Sequence, residues 1–327
     1  MKNIKEFPCD ENPFPADLTI AVIIPCYNES VAIASVITDF QQSLPGATIY
    51  VFDNNSSDNT VEIAKLCGAL VRTVPLQGKG NVIRRMFADV EADIYVLVDG
   101  DNTYDANEAP ALIATLIGDG LDMVVGARVA DENNAYRLGH RFGNTLLTRC
   151  VAVIFANTFT DMLSGYRVFS RRYVKSFSAQ STGFETETEL AVHALQLRMP
   201  VAEVPTRYSS RPDGSLSKLN TWRDGFRILV TIFRLFKSEK PLAFFSLGFF
   251  SCSFTAIFLA VPLFETYLQT GLVPRFPTAI LCSGLMLFGL ILLVCGIVLD
   301  AVTKGRSEAK RFVYLAYPAP NAKQSHQ

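Results

Sequence analysis

Three short acidic segments in the first third of this 327-residue chain hold the residues best suited to chemistry: Asp99-Gly100-Asp101, the run Asp53-Asn54-Asn55-Ser56-Ser57-Asp58, and Pro25-Cys26-Tyr27-Asn28-Glu29. Two aspartates flanking a glycine at a turn can offer hard carboxylate oxygens to one divalent cation. Mg2+ or Mn2+ held in that way completes its shell with substrate phosphates. A diphosphate that must leave as a dianion or more gains from such a cation. Folding does not require carboxylates after three separate apolar runs, so their clustering points to a phosphorylated ligand.

The elements that must position these groups are legible in the apolar pattern. Short β-branched runs alternate with helical stretches from Ile20 to Arg128, which is the signature of repeated βαβ units and a mostly parallel sheet. Strands are expected at Ile20 to Pro25, Ala47 to Phe52, Ala69 to Val74, Asp93 to Val98 and Asp122 to Ala127. Beyond Arg128 the alternation loosens, with a helix over Arg137 to Phe155, a strand at Gly165 to Ser170, a helix at Glu185 to Leu197 and a strand at Pro200 to Tyr208. In an open α/β sheet ligands bind outside the carboxyl ends of the strands, which is where the three acidic segments fall.

Several other chemistries are excluded. No G-x-G-x-x-G follows the first strand, so the dinucleotide fingerprint is missing. Gln77-Gly78-Lys79-Gly80 has no Ser or Thr after its lysine and is not a phosphate-binding P-loop, although it can bring Lys79 toward a phosphorylated ligand. The three histidines, His140, His193 and His326, fit no Ser-His-Asp pattern and read as structural or solvated. Seven cysteines show no paired metal spacing, which argues against a disulfide framework or a zinc site and for a reducing compartment. With a net charge of −1, no nucleic-acid partner is expected.

The last third faces a different solvent. Leu242 to Phe264 and Phe276 to Leu299 are uncharged apolar runs, each over the roughly 20 residues that span a hydrocarbon core. Glu265 and Arg275 lie between them, whereas Lys237 and Lys240 precede the first and Lys304, Arg306, Lys310 and Arg311 follow the second. By the positive-inside rule both flanks are cytoplasmic. The opening run MKNIKEFPCDENPFP lacks the apolar core of a signal peptide. Upstream of the hairpin, Arg223, Arg227, Arg234 and Lys237 project within an arc of roughly 80° on an otherwise apolar helix, a pattern suited to an anionic membrane surface. The expected organisation is a cytoplasmic catalytic domain over 1–218, an amphipathic juxtamembrane helix over 219–240, a transmembrane hairpin over 241–303 and a cytoplasmic tail over 304–327. The protein is thus expected to be integral to the inner (cytoplasmic) membrane.

Eight segments in order, IPCYNE, VFDNNSSDNT, LQGKGN, VDGDNTYD, VVGAR, DMLSGYRVFSRR, GFETETEL and RPDGSLSKL, resemble family 2 of the glycosyltransferases. Within that family they are similar to the polyprenyl-phosphate and dolichyl-phosphate enzymes that make lipid-linked mannose or glucose. The resemblance covers about residues 20 to 240. It implies a GT-A fold, Rossmann-like and nucleotide-sugar-binding, with donor-side roles for Pro25, Tyr27, Glu29, Asp53, Lys79, Asp99 and Gly100. It makes Asp99 and Asp101 the cation pair. Arg128, Arg141 and Thr145 match the positions that hold an acceptor phosphate. Asp161, Arg167 and the loop bearing Arg211, Ser217 and Lys218 match the segment that closes over the reaction centre. Asp101, Asp161 and Arg128 are the expected catalytic group. Thr103 replaces the glutamine frequent after D-x-D, and the Q-x-x-R-W signature of processive synthases is missing.

The implied reaction is an inverting transfer of a hexose from a UDP- or GDP-linked donor to a polyprenyl phosphate at the cytoplasmic membrane face, with Mg2+ or Mn2+ as cofactor. The resemblance also allows a homo-oligomer. A phosphate monoester is already anionic near neutral pH and needs no general base. An alternative acceptor is a lipid or glycan hydroxyl, for which Asp161, Glu185 or Glu187 would have to serve as base. A non-catalytic membrane scaffold on the same fold is disfavoured by the intact Asp99, Asp101, Arg128 and Lys218.

Overall fold

A computed structural model describes residues 14–15, 17–130, 159–178, 185–210, 230–231 and 233–320. Its first compact unit is built on a seven-stranded sheet: β1 (Ile20–Cys26), β2 (Thr48–Asp53), β3 (Leu70–Thr73), β4 (Ile94–Leu97), β5 (Met123–Ala130), β6 (Arg167–Ser170) and β7 (Val201–Tyr208), in the order β3-β2-β1-β4-β6-β5-β7. Helices α1 (Ile33–Ser43), α2 (Thr60–Leu66), α3 (Lys79–Asp89) and α4 (Ala109–Gly118) connect the early strands, and α5 (Arg171–Ser176) and α6 (Glu185–Gln196) follow β6. Each expected strand forms, with ends shifted by a few residues. The expected helix over Arg137 to Phe155 lies outside the described residues.

Pairing is parallel for β1 with β2 and β4, β2 with β3, and β5 with β7, while β6 runs antiparallel to both β4 and β5. The central strands read as continuous apolar runs because both faces are covered: Val22, Ile23, Ile24, Val51, Phe52, Val96 and Leu97 are at most 1% exposed. The reversal of β6 matters for function. An antiparallel strand begins at the edge where its parallel neighbours end, so the loop that feeds it, Asp161 to Gly165, arrives beside the carboxyl ends of β4 and β5.

The second compact unit spans Leu229–Ala309. It holds α7 (Pro241–Thr270) and most of α8 (Phe276–Leu315), both long and apolar enough to cross a membrane. The helices run past the apolar stretches, so Glu265 belongs to α7 and only five residues, 271–275, form the turn, with Gly271 in the left-handed region. On α8 the residues Cys282, Gly289 and Gly296, seven apart, are buried, and a Cβ at Gly289 or Gly296 would press on Cys252, Phe249 or Phe245 of α7. Small residues let the two backbones approach, which is how helices associate in lipid. The large apolar side chains of both helices point outward. The segment Lys310–Gln327 groups with the first unit.

Candidate functional site

Three loops at the carboxyl edge of the sheet make the floor of the site. Each contains one asparagine in the left-handed region, Asn28 (φ 53°), Asn55 (φ 65°) and Asn102 (φ 56°), a conformation asparagine tolerates better than other non-glycine residues. The first two loops are stitched together: Asn28 N donates to Ser56 Oγ (2.8 Å), Ser57 N to Asn28 Oδ1 (2.8 Å), and Glu29 N to Thr60 Oγ1 (2.9 Å). Asp53, 3% exposed, accepts from Ser56 N (3.2 Å), and Pro25 pairs in register with Phe52. Tyr27 is 37% exposed.

Asn54 is the hub that the sequence reading missed. Its backbone N–H bonds Cys26 O (2.9 Å), its Nδ2 donates to Val74 O and Leu76 O, and its Oδ1 accepts from Gly78 N (2.7 Å). That last bond fixes the turn from which Lys79 starts α3. The doubled Asn in VFDNNSSDNT was the available signal, since Asn is the side chain that both donates and accepts.

Lys79 reaches across to the D-x-D turn. Its Nζ lies 2.6 Å from Asp99 Oδ1 and 2.6 Å from Glu187 Oε1. Burial works to lower its pKa, but the two carboxylates more than offset this and hold the ammonium above its ordinary value. Asp101 is 5% exposed and its Oδ1 accepts from the Thr103 hydroxyl (2.6 Å). Thr103 therefore serves its neighbouring aspartate, which accounts for a short hydroxyl at that position. Gly100 lets the turn lie on Cys26, whose Sγ a Cβ there would strike, and a Cβ at Gly165 would collide with the Asp99 carboxylate.

The antiparallel β6 delivers the other half. Arg128, near the end of β5, forms a two-pronged ion pair with Asp161: Nε to Oδ2 at 2.7 Å and Nη2 to Oδ1 at 2.8 Å, with Arg128 N adding 3.2 Å to Oδ2. Glu203 on β7 accepts from the backbone of Thr160 and Asp161 and fixes the loop. Burial tends to raise the Asp161 carboxyl, but the Arg128 hydrogen bonds and charge outweigh it and leave it below the usual carboxylate value. Arg128 also lies over the Tyr208 ring, 5.5 Å from its centroid.

Tyr104 joins the two halves. Its hydroxyl accepts from Gly165 N (2.8 Å). Burial drives its pKa well above the ordinary value, with Arg128 pulling it down and Asp99 pushing it up, so both charges act on one buried oxygen. Arg167, expected near the reaction centre, is instead fully buried and spends its guanidinium on Ser164 O (3.0 Å) and Met162 O (2.5 Å). It shapes the loop from within. His193 is buried, its pKa pushed down to about 3 by desolvation and by Lys310, consistent with the structural role read from sequence. Arg141, Thr145, Arg211, Ser217 and Lys218 lie outside the described residues.

The donor set at the D-x-D turn suits a divalent cation that also takes substrate phosphates. Asp99 and Asp101 supply two hard carboxylates, and among the described residues no group of three or more His, Cys, Asp or Glu forms a full protein cage.

A family model described as glycosyl transferase family 2 matches residues 21–177. Over 300 residues the chain is 33% identical to glycosyltransferase AglJ of Haloferax volcanii, which covers 91% of this chain and 98% of that protein. The chain belongs to glycosyl transferase family 2. Like others of this family it is a glycosyltransferase, with a mostly parallel GT-A-like sheet. It is also 28% identical over 222 residues to a dolichyl-phosphate hexose transferase of the same organism, covering 68% of this chain and 95% of the relative. Among solved structures it resembles glucosyl-3-phosphoglycerate synthase from Mycobacterium tuberculosis in complex with Mn2+, uridine diphosphate and glucosyl-3-phosphoglycerate. There the TM-score is 0.55 and the identity 25%, covering 66% of this chain and 80% of that one.

Proposed function

We propose that this glycosyltransferase moves a hexose from a UDP- or GDP-linked donor to a polyprenyl phosphate at the cytoplasmic face of the membrane, with inversion. The observation that carries this reading is the engagement of the site's carboxylates. A hydroxyl acceptor must be deprotonated by a base near its operating pH. Asp161 is locked to Arg128 with a lowered pKa, and Glu187 is bound to Lys79, so two of the three carboxylates that could act as base are ion-paired. An acceptor that is already an anion needs positioning instead, and arginine's planar fork matches phosphate oxygens.

In this reading Pro25, Tyr27, Glu29 and Asp53 hold the nucleoside, and Asp99, Gly100, Asp101 and Lys79 face the diphosphate. Arg128, Arg141 and Thr145 hold the acceptor phosphate, and the loop bearing Arg211, Ser217 and Lys218 closes over the reaction centre. A Mg2+ or Mn2+ ion held by Asp99 and Asp101 would supply charge neutralisation at the departing diphosphate. An acceptor phosphate oxygen forms its bond to the anomeric carbon as the bond to the donor's phosphate oxygen breaks, releasing the nucleoside diphosphate. Because the two anions repel each other, holding them in line is the main catalytic task.

The dolichyl-phosphate hexose transferase relative supports the acceptor class, and the Mn2+–UDP complex of the structural neighbour supports the donor and cation. The basic residues flanking α7 and α8 support a cytoplasmic catalytic unit. The test is to offer the purified full chain UDP-glucose, UDP-GlcNAc, UDP-galactose and GDP-mannose with undecaprenyl phosphate and to assay nucleoside diphosphate release. One donor should give lipid-dependent release that EDTA abolishes and Mg2+ or Mn2+ restores; full turnover in EDTA contradicts the cation assignment.

A further inference from the structure

The Lys79 ammonium sits between two carboxylates brought in from separate elements. Lys79 opens α3, Asp99 follows β4, and Glu187 projects from the first turn of α6; both Nζ to oxygen distances are 2.6 Å. The three side chains are only 11%, 27% and 9% exposed, so their charges act on one another with little screening by water. We propose that Lys79 is a built-in counter-ion that competes with the divalent cation for Asp99, and that Glu187 is the positioning residue that retains Lys79 when the cation takes Asp99. This rests on the metal-dependent reading above.

An ammonium and a divalent cation that share the Asp99 carboxylate repel each other, so each weakens the other's hold on it. Without a second carboxylate, expelling Lys79 from Asp99 would leave a mostly buried ammonium unpaired. Glu187 removes that penalty, since Lys79 keeps one full partner throughout. The exchange also keeps Asp99 neutralised between turnovers, which makes the cation alone a weak ligand and ties its binding to the arrival of the donor's diphosphate.

The idea is tested by Mn2+ binding to the full chain in detergent, with no nucleotide or lipid, read as free Mn2+ by electron paramagnetic resonance. Lys79→Met should tighten Mn2+ binding by about tenfold, the size of one lost charge-assisted competitor. Lys79→Gln makes the same charge change with a polar end and serves if Lys79→Met does not fold. Glu187→Gln should weaken binding, because Lys79 is then left to Asp99 alone. The double variant decides the mechanism. If Glu187 acts through Lys79, the double variant binds Mn2+ like Lys79→Met. A return of the double variant to the wild-type affinity means the two charges act independently through space and overturns the proposal, as does failure of the lysine variants to tighten binding. If no form binds Mn2+ even with UDP or GDP present, the cation half of the proposed function falls with it, which separates the two failures.

Discussion

Gly165 and Asp99 show how closely the site is packed at the level of single residues. A methyl group at Gly165 would enter the space of the Asp99 carboxylate, a clash of the kind that costs ~1–3 kcal/mol. Gly165→Ala is expected to weaken nucleoside diphosphate binding in the presence of Mn2+ by about tenfold, read by calorimetry. The Arg128–Asp161 pair makes a pH prediction. Because the Asp161 carboxyl is held below its ordinary value in the folded chain, its stabilising effect is complete above the unfolded value of about 3.9 and is lost as pH falls through the lower folded value. The melting temperature of Asp161→Asn should therefore lie furthest below wild type near neutral pH, and the gap should close on acidification below about pH 4. Asp99, Asp101 and Arg128 were legible in the sequence because their charges follow strands, where an α/β sheet puts its ligands, whereas Asp161 was reached through the family resemblance alone. The engagement of Lys79 with Glu187 was not, since its partners lie 108 residues apart and only folding brings them together.

Among elements, β6 does the most for function while being the least conspicuous. Its apolar pattern announced a strand, but periodicity is blind to direction, and its antiparallel course is what brings Asp161 and Gly165 to the edge shared by Asp99 and Arg128. The far end of β5 is held by a second polar cluster. Asp122, fully buried, accepts from Arg172 Nη2 (2.9 Å) and Nε, from the Ser170 hydroxyl (2.7 Å) and from the Tyr314 hydroxyl (2.8 Å), while Arg172 lies over the Tyr314 ring. Removing one partner of a buried ion pair costs ~3–5 kcal/mol, so Asp122→Ala should lower the melting temperature of the catalytic unit sharply. Tyr314→Phe, which loses one neutral-donor bond and keeps the ring, should cost ~1 kcal/mol. A small shift for Asp122→Ala would contradict the role given to this cluster. The Tyr314 contact was not foreseeable, because a tyrosine in a basic tail carries no periodic or motif signal.

At the scale of the whole molecule, the two apolar helices were readable from length and composition alone, whereas the small-residue seam at Cys282, Gly289 and Gly296 emerged only once the helices were set side by side. Deleting everything after Lys240 should leave a chain that still binds nucleotide but has lost most activity on long-chain lipid in bilayers. The deletion also removes the Tyr314 contact, so Tyr314→Phe in the full chain is the control that separates anchoring from local stability. The reading of the protein as a lipid-phosphate glycosyltransferase stands or falls on the acceptor. Full-length protein with its preferred nucleotide sugar and Mg2+ should be offered undecaprenyl phosphate and undecaprenol in matched bilayers, with wild type beside Arg128→Lys. Sugar transfer should require the phosphate. Arg128→Lys should weaken use of that acceptor by the equivalent of ~1.5–3 kcal/mol while donor affinity stays near wild type. Equal transfer to undecaprenol, or loss of donor binding in Arg128→Lys, would contradict it.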